Sequence, residues 1–284
     1  MVQFPYLMLS RIRMKDLVIS ATTGLSWDDL EVWAVSLAHS GFNGVKAMIV
    51  YDDNQDVISN LRKLDFQVLQ PSLQGPVYNR RFLDFHNSVK NSIDNIRYLI
   101  ATDCRDVYFE TDPIAWLETN LKKPFIASSE SIQYKNEAWN YGNMKTSFPD
   151  FYTRMENKCV YNVGVLAGES RYISDICLSI YLMTQASGHS VSDQSSYNFM
   201  LSMEPYASSV QIVSSEDGFA CQAGTVADPS KIEKFRPFLL EPEPKLIGGV
   251  VTTSQGEIYP IVHQYDRVPE WRTVILDKIA RLRG

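Results

Sequence analysis

The sequence predicts an α/β fold around a mixed, mainly parallel central sheet flanked by helices. Two observations carry that expectation. Residues 16–69 alternate apolar runs of strand length with stretches of helical period, in the order strand, helix, strand, helix, strand, and this alternation marks βαβ units. In addition, polar and acidic residues gather after three apolar runs, at Thr22-Thr23-Gly24, Tyr51-Asp52-Asp53 and Asp103 to Asp106. Open α/β sheets bind ligands at such strand ends.

The elements follow in order. Asp16-Leu17-Val18-Ile19-Ser20-Ala21 reads as a buried strand, ended by Thr22-Thr23-Gly24. Ser26 and Asp29 have capping-box spacing. Leu30, Trp33, Ala34, Leu37 and Ala38 then recur at helical period until Gly41. Residues 45–50 form a second strand, Val57, Leu61 and Leu64 mark a second helix, and residues 66–69 form a third strand. Phe82, Phe85, Val89, Ile93 and Ile96 predict one long helix that delivers the chain into a fourth strand at 98–101. Further on, strands are expected at 125–128, 163–167, 210–213 and 258–262. Helices are expected at 172–186, from a Ser192 cap through Met203, and at 271–283. No repeat or low-complexity linker interrupts the chain, so residues 1–284 read as a single domain.

Composition narrows the function. Hydrophobic residues make up 45% and charged residues 21%, enough for a substantial core in 284 residues. A net charge of −6 disfavours a nucleic-acid partner, which would call for a basic excess. Cys104, Cys159, Cys177 and Cys221 form no CxxC pair, so a zinc knuckle is not expected, and four cysteines in this length read as reduced thiols. No run approaches about 20 apolar residues, so no spanning helix is expected. In residues 1–15 the charges follow the apolar residues, unlike a leader peptide. A peripheral cover or an extension before the first strand is the expectation for this segment, and a cytoplasmic location for the protein.

The strand ends also exclude and admit chemistries. No GxGxxG follows the first strand and no GxxxxGK[ST] occurs, which removes a dinucleotide fingerprint and a P-loop. A mononucleotide whose diphosphate is held through a metal is the remaining common use of such a sheet. Asp103 and Asp106 offer oxygen ligands to a hard cation such as Mg²⁺ or Mn²⁺, which takes one or two carboxylates plus substrate phosphate oxygens. Acidic pairs also occur in plain solvated loops, and spacing alone does not separate the two. Arg105 could pair with an acid or orient a donor, and Arg80 and Arg81 are candidate diphosphate contacts. Asp193 could act as a general base or simply favour a helix start. Trp139, Tyr134 and Tyr141 fit the wall of a sugar site, where aromatic faces meet sugar C–H surfaces, while with 15 Tyr and 5 Trp most such rings are packing.

The stretch 98–113, with Asp103-Cys104-Arg105-Asp106-Val107-Tyr108-Phe109 and Asp112-Pro113, resembles the D-x-R-D-V-x-F-x-x-D-P form of the DxD region in GT-A glycosyltransferases. Four further segments fall in the order of that group: Arg81-Phe82, the N-x-G segment Asn162-Val163-Gly164, Ser192-Asp193-Gln194 with Tyr197-Asn198, and His263-Gln264-Tyr265-Asp266-Arg267. Together they span roughly residues 16–267 and are similar to small viral and bacterial surface-glycan glycosyltransferases. The resemblance implies a GT-A, Rossmann-like domain, with residues 16–125 as its nucleotide-binding half and 126–284 as its acceptor-binding half. It implies a nucleotide-sugar donor, most often a UDP-sugar, a glycan acceptor, and Mn²⁺ or Mg²⁺.

Carried over residue by residue, nucleoside contacts fall on Ala21, Thr22, Thr23 and Asp52. Metal contacts fall on Asp103 and Asp106, with His263 as a late third ligand. Donor contacts fall on Arg81, Arg105, Asn162 and Gly164, and Asp193 is the catalytic carboxylate. That role for Asp193 presumes inversion, and retention is equally open. Two residues separate the acids where the strict DxD has one, and Arg105 stands where its second acid would be. The alternatives are a sugar-1-phosphate nucleotidyltransferase, for which Thr22-Thr23-Gly24-Leu25-Ser26 lacks glycine richness, and a non-catalytic glycan-binding domain with a degenerate site.

Overall fold

The computed structural model describes Pro5, residues 14–187 and residues 189–283. Most of the segment 1–15, expected as a peripheral cover or an extension before the first strand, lies outside the described residues. The central sheet is mixed and its elements follow the chain as βα units. They are β1 (Lys15–Thr22), α1 (Trp27–His39), β2 (Val45–Val50), α2 (Gln55–Lys63), β3 (Gln67–Leu69), α3 (Val77–Val89) and β4 (Ile96–Thr102). After β5 (Val107–Phe109) and α4 (Pro113–Asn120) come β6 (Phe125–Gln133), α5 (Ala138–Ser147), β7 (Cys159–Tyr161), β8 (Val165–Glu169), α6 (Ser170–Ser187), α7 (Asp193–Leu201) and β9 (Val210–Val213). The strand order is β3-β2-β1-β4-β8-β6-β7, with β9 also paired to β6.

β3, β2, β1 and β4 run parallel, as alternating βα units require. β8 is antiparallel to both β4 and β6. The chain leaves β4, skips one place to lay down β6, and later returns to fill the gap from the opposite direction. That filling strand is tight: a Cβ on Gly168 would stand 2.6 Å from the Phe125 backbone. A smaller sheet joins β10 (Ala220–Gln222), β13 (Ile261–His263) and β5, and β11 (Lys245–Ile247) pairs with β12 (Val250–Thr252) as a ribbon.

Period-two alternation sends successive strand side chains to opposite faces. Leu17, Ile19, Ala47, Ile49, Leu99 and Ala101 pack beneath α3, α6 and α7. Val18, Met48, Val50 and Ile100 pack on the other face with Leu30, Trp33 and Leu37 of α1. The outer side of α1, with Val32 and Val35, is covered by the small sheet and by Trp271, Ile275 and Ile279 of the helix Pro269–Leu282. Burial of α1 on both sides fixes the small sheet, and with it His263, against the main sheet.

Several expectations need correction. The long helix expected through Ile96 ends at Val89. Ile93 falls in a 3₁₀ turn and Ile96 opens β4, where pairing with Lys15 outweighs helical spacing. The strand expected at 163–167 starts at Val165, because residues 162–164 bend into the cleft. The strand expected at 258–262 shrinks to Ile261–His263, with Ile258 making only an isolated bridge to Thr252. Ser192 makes no side-chain cap on α7, since its hydroxyl accepts a hydrogen bond from Ser187 Oγ at 2.8 Å. Among the described residues no helix is long and apolar enough to cross a membrane.

Candidate active site

A cleft of about 540 Å³ opens over the carboxyl ends of β1 and β4. Strand β4 delivers Asp103 to its floor, where the Asp103 backbone N–H donates to the Gly164 carbonyl at 2.8 Å. The small sheet delivers His263 from the opposite side, because β13 pairs antiparallel with β5, which follows Asp106 directly. The Gln264 N–H, donating to the Asp106 carbonyl at 2.6 Å, ties the two segments again. Residues 157 positions apart in sequence therefore share one site.

Asp103, Asp106 and His263 each turn one ligand atom inward, and these atoms all lie within 4.8 Å of one another. His263 Nε2 is 3.5 Å from Asp103 Oδ2 and 3.6 Å from Asp106 Oδ1. It is buried and has no hydrogen-bond partner. Nε2 thus faces two carboxylates, either as an imidazolium paired with both or as a ligand sharing a cation with them. The other ring nitrogen, Nδ1, lies 2.8 Å from Gln222 Oε1. That contact orients the imidazole, as outer partners do for metal-ligating histidines. Gly164 completes the cradle: a Cβ there would stand 2.5 Å from His263 Cε1 and 2.8 Å from Asp103 Oδ2. Two carboxylate oxygens, one imidazole nitrogen and a space kept open between them fit a hard or borderline divalent cation.

Charge is closely balanced around this point. Arg81, on α3, donates through Nη1 to Asp103 Oδ1 and through Nη2 to Asp193 Oδ2 at 3.3 Å. Its Nε is buried without a partner. Burial alone would push the Asp103 carboxyl up, but Arg81 and His263 hold it well below the usual carboxylate range. Burial likewise disfavours a charged His263, yet the facing Asp106 and Asp103 outweigh it and raise the imidazole to about 10. Asp193 goes the other way: burial raises its carboxyl against the pull of Arg81, with Asp103 adding to the rise.

Ala21, Thr22, Thr23, Arg81, Arg105, Asn162, Gly164 and Asp193 all line the cleft with the three ligand candidates. Thr22 Oγ1 is buried there without a partner. Asp52 stands apart from the lining. Its carboxylate accepts from Gly24 N–H at 2.5 Å and Asn54 N–H at 3.3 Å, and so shapes the turn after β1. Arg80 is turned away, paired to the buried Asp84 at 2.9 Å. Arg105 pairs with Asp266 only at 3.8 Å. Of the three aromatic residues expected in a sugar wall, Trp139 lines the cleft, Tyr134 is buried in a separate core, and Tyr141 packs on Tyr152 and donates to Glu156.

Glu130, which the sequence shows as an acid closing the apolar run 125–128 near Trp139 but to which it assigns no role, is a hub of the cleft wall. Within β6, 5% exposed, it accepts from Asn162 Nδ2 at 2.9 Å, Gln194 Nε2 at 2.9 Å and Thr225 Oγ1 at 3.0 Å. It thus joins four segments of the cleft wall. Its only sequence signal was an acid at the end of an apolar strand. Gln222 had none, because its strand is three residues long.

No family model matches the chain, and no curated protein matches it.

Proposed function

We propose that this protein is a metal-dependent glycosyltransferase of the GT-A type. It moves a sugar from a nucleoside diphosphate sugar, a UDP-sugar in the first place, to a hydroxyl of a glycan. The observation that carries this reading is the convergence of the Asp103 and Asp106 carboxylates and the buried His263 imidazole at the end of β4. The parallel β3-β2-β1-β4 half with β8 inserted antiparallel supports a nucleotide-binding sheet with an acceptor side appended.

Held by these three side chains, Mn²⁺ or Mg²⁺ would supply Lewis-acid neutralisation of the departing diphosphate. The chain's own residues do the rest. Ala21, Thr22 and Thr23 take the nucleoside at the end of β1. Arg105 and Lys231 meet the phosphate charge, since Arg81 is committed to Asp103 and Asp193 while Lys231 lines the cleft and makes no ion pair with a described residue. Gly164 leaves room for the donor beside Asn162. Asp193, a carboxylate in the cleft that burial raises above its ordinary value, takes the proton from the acceptor hydroxyl as the anomeric carbon inverts.

The test is incubation with a panel of UDP- and GDP-sugars and Mn²⁺ or Mg²⁺, with and without chelator. Chelator-sensitive release of UDP or GDP supports the transferase. Pyrophosphate-dependent breakdown to a nucleoside triphosphate moves the reading to a nucleotidyltransferase. No thermal shift with any nucleotide refutes both.

A further inference from the structure

We infer that Trp139 and Tyr78 form a saccharide-stacking subsite in the cleft that holds Asp193, taking a pyranose ring by its C–H faces. The inference rests on the glycosyltransferase reading for its role, as the acceptor side of that site, but its geometry stands separately.

Large exposed apolar side chains are ordinary when scattered singly. These two are not scattered. Trp139 is 58% exposed and Tyr78 is 38% exposed, and both line the one cleft that holds Asp193. Neither ring stacks on another aromatic side chain of the described residues. Neither the Trp139 Nε1 nor the Tyr78 hydroxyl has a hydrogen-bond partner among them. Both leave ring surface and a polar atom open at the cleft.

Hydrogen bonds fix where they stand. Tyr78 sits in the first turn of α3, three residues before Arg81, which holds Asp193. The neighbouring Asn79 donates from Nδ2 to the Ser190 carbonyl at 3.0 Å, locking that turn to the segment entering α7. On the other side, Gln194 Nε2 donates to Asn140 Oδ1 at 2.7 Å, and Asn140 follows Trp139. The Asn140 backbone N–H is in turn capped by Glu137 Oε2 at 2.6 Å. Contacts therefore link Arg81, Asp193, Gln194 and Asn140, with Tyr78 one helical turn before Arg81 and Trp139 next to Asn140 in the chain.

The polar groups beside the rings suit hydroxyl recognition. Glu130, Glu137, Asn140 and Gln194 all line the same wall. Apolar rings flanking a dense set of carboxylates and amides match a ligand that is apolar on its faces and hydroxylated on its rim, which is a pyranose.

The experiment uses the full chain, wild type, Trp139→Ala, Trp139→Phe and Tyr78→Ala. The probes are methyl α- and β-pyranosides of glucose, galactose, mannose, N-acetylglucosamine and rhamnose with their disaccharides, read by saturation-transfer NMR and titration. Thermal unfolding checks the fold of each variant. At least one pyranoside should bind the wild type, with affinity falling by about tenfold or more in Trp139→Ala and being largely restored in Trp139→Phe. Tyr78→Ala should weaken the same ligand. Unchanged affinity in a folded Trp139→Ala overturns the subsite, and so does a wild type that binds none of the panel. Binding of Mn²⁺ with UDP, measured on the wild type, separates the two readings. Saccharide binding without nucleotide binding keeps the subsite and sinks the transferase, while nucleotide binding without saccharide binding does the reverse.

Discussion

The guanidinium of Arg81 lies between the carboxylates of Asp103 and Asp193 and is paired with both. One buried cation therefore links the side chain proposed to hold a metal with the side chain proposed to accept a proton. Removing it leaves two carboxylates facing each other in a poorly solvated place. Arg81→Ala is expected to cost about 3–5 kcal/mol of stability, the range for breaking a buried ion pair from one side. Arg81→Lys keeps the charge but not the two-pronged geometry, and should lose activity with a smaller loss of stability. Urea unfolding followed alongside nucleotide-sugar turnover checks both.

Gln222 touches none of the reacting groups, yet it orients His263 through Nδ1. Gln222→Leu should weaken Mn²⁺ binding by about 10–100-fold, as loss of an outer partner typically does. Calorimetric titration of the variant against wild type measures it. An unchanged affinity would mean that His263 is not a ligand or needs no orientation.

Gly164→Ala places a methyl group 2.5 Å from His263 Cε1 and 2.8 Å from Asp103 Oδ2. Overpacking of this kind costs about 1–3 kcal/mol. The larger expected consequence is loss of Mn²⁺ binding, because the methyl displaces two of the three ligand side chains. Titration with Mn²⁺ and thermal unfolding of the same variant separate the two effects.

His263 gives a pH signature. Its imidazole is raised to about 10 from an ordinary 6.5, so in the metal-free protein it carries a proton at neutrality. A metal takes the neutral ring, so binding must release that proton. Apparent Mn²⁺ affinity should rise by about tenfold per pH unit through the neutral range and level off near pH 10. The metal-free protein behaves oppositely: the stabilisation of the charged imidazole is complete below pH 6.5 and is lost as pH climbs to about 10. Titrations in buffers of different ionisation enthalpy count the released proton.

How much of this was legible in the sequence follows from the reach of each signal. The capping box of Ser26 and Asp29, the period of α1, and the apolar runs of β1, β2 and β4 are local, and each stands where its pattern places it. Three-residue strands such as β5 and β10 carry no period, so the small sheet that brings His263 to Asp103 could not be read. Ile93 and Ile96 continued a helical spacing that strand pairing overrode. The cleft's strand-end residues Thr22, Asp103 and Asp106 were visible as polar residues closing apolar runs. The hub role of Glu130, the commitment of Arg81 to two acids and the turning of Asp52 toward Gly24 depend on contacts across 22 to 112 positions, which no local pattern encodes.

Asp193→Asn keeps the size of the side chain and removes its basicity. Turnover by transfer should fall by about 10²–10⁴-fold with donor binding nearly intact. NMR of the product formed by the wild type should show an inverted anomeric configuration. Retention of configuration would remove Asp193 as base.

The central claim is that Asp106, with Asp103 and His263, holds the ion on which donor turnover depends. Its most direct test is UDP release from UDP-sugars by wild type and Asp106→Ala across a Mn²⁺ titration, with and without chelator. Release that requires Mn²⁺, stops with chelator and is lost in a folded Asp106→Ala is the predicted result. Equal turnover by the variant, or turnover indifferent to chelator, contradicts it.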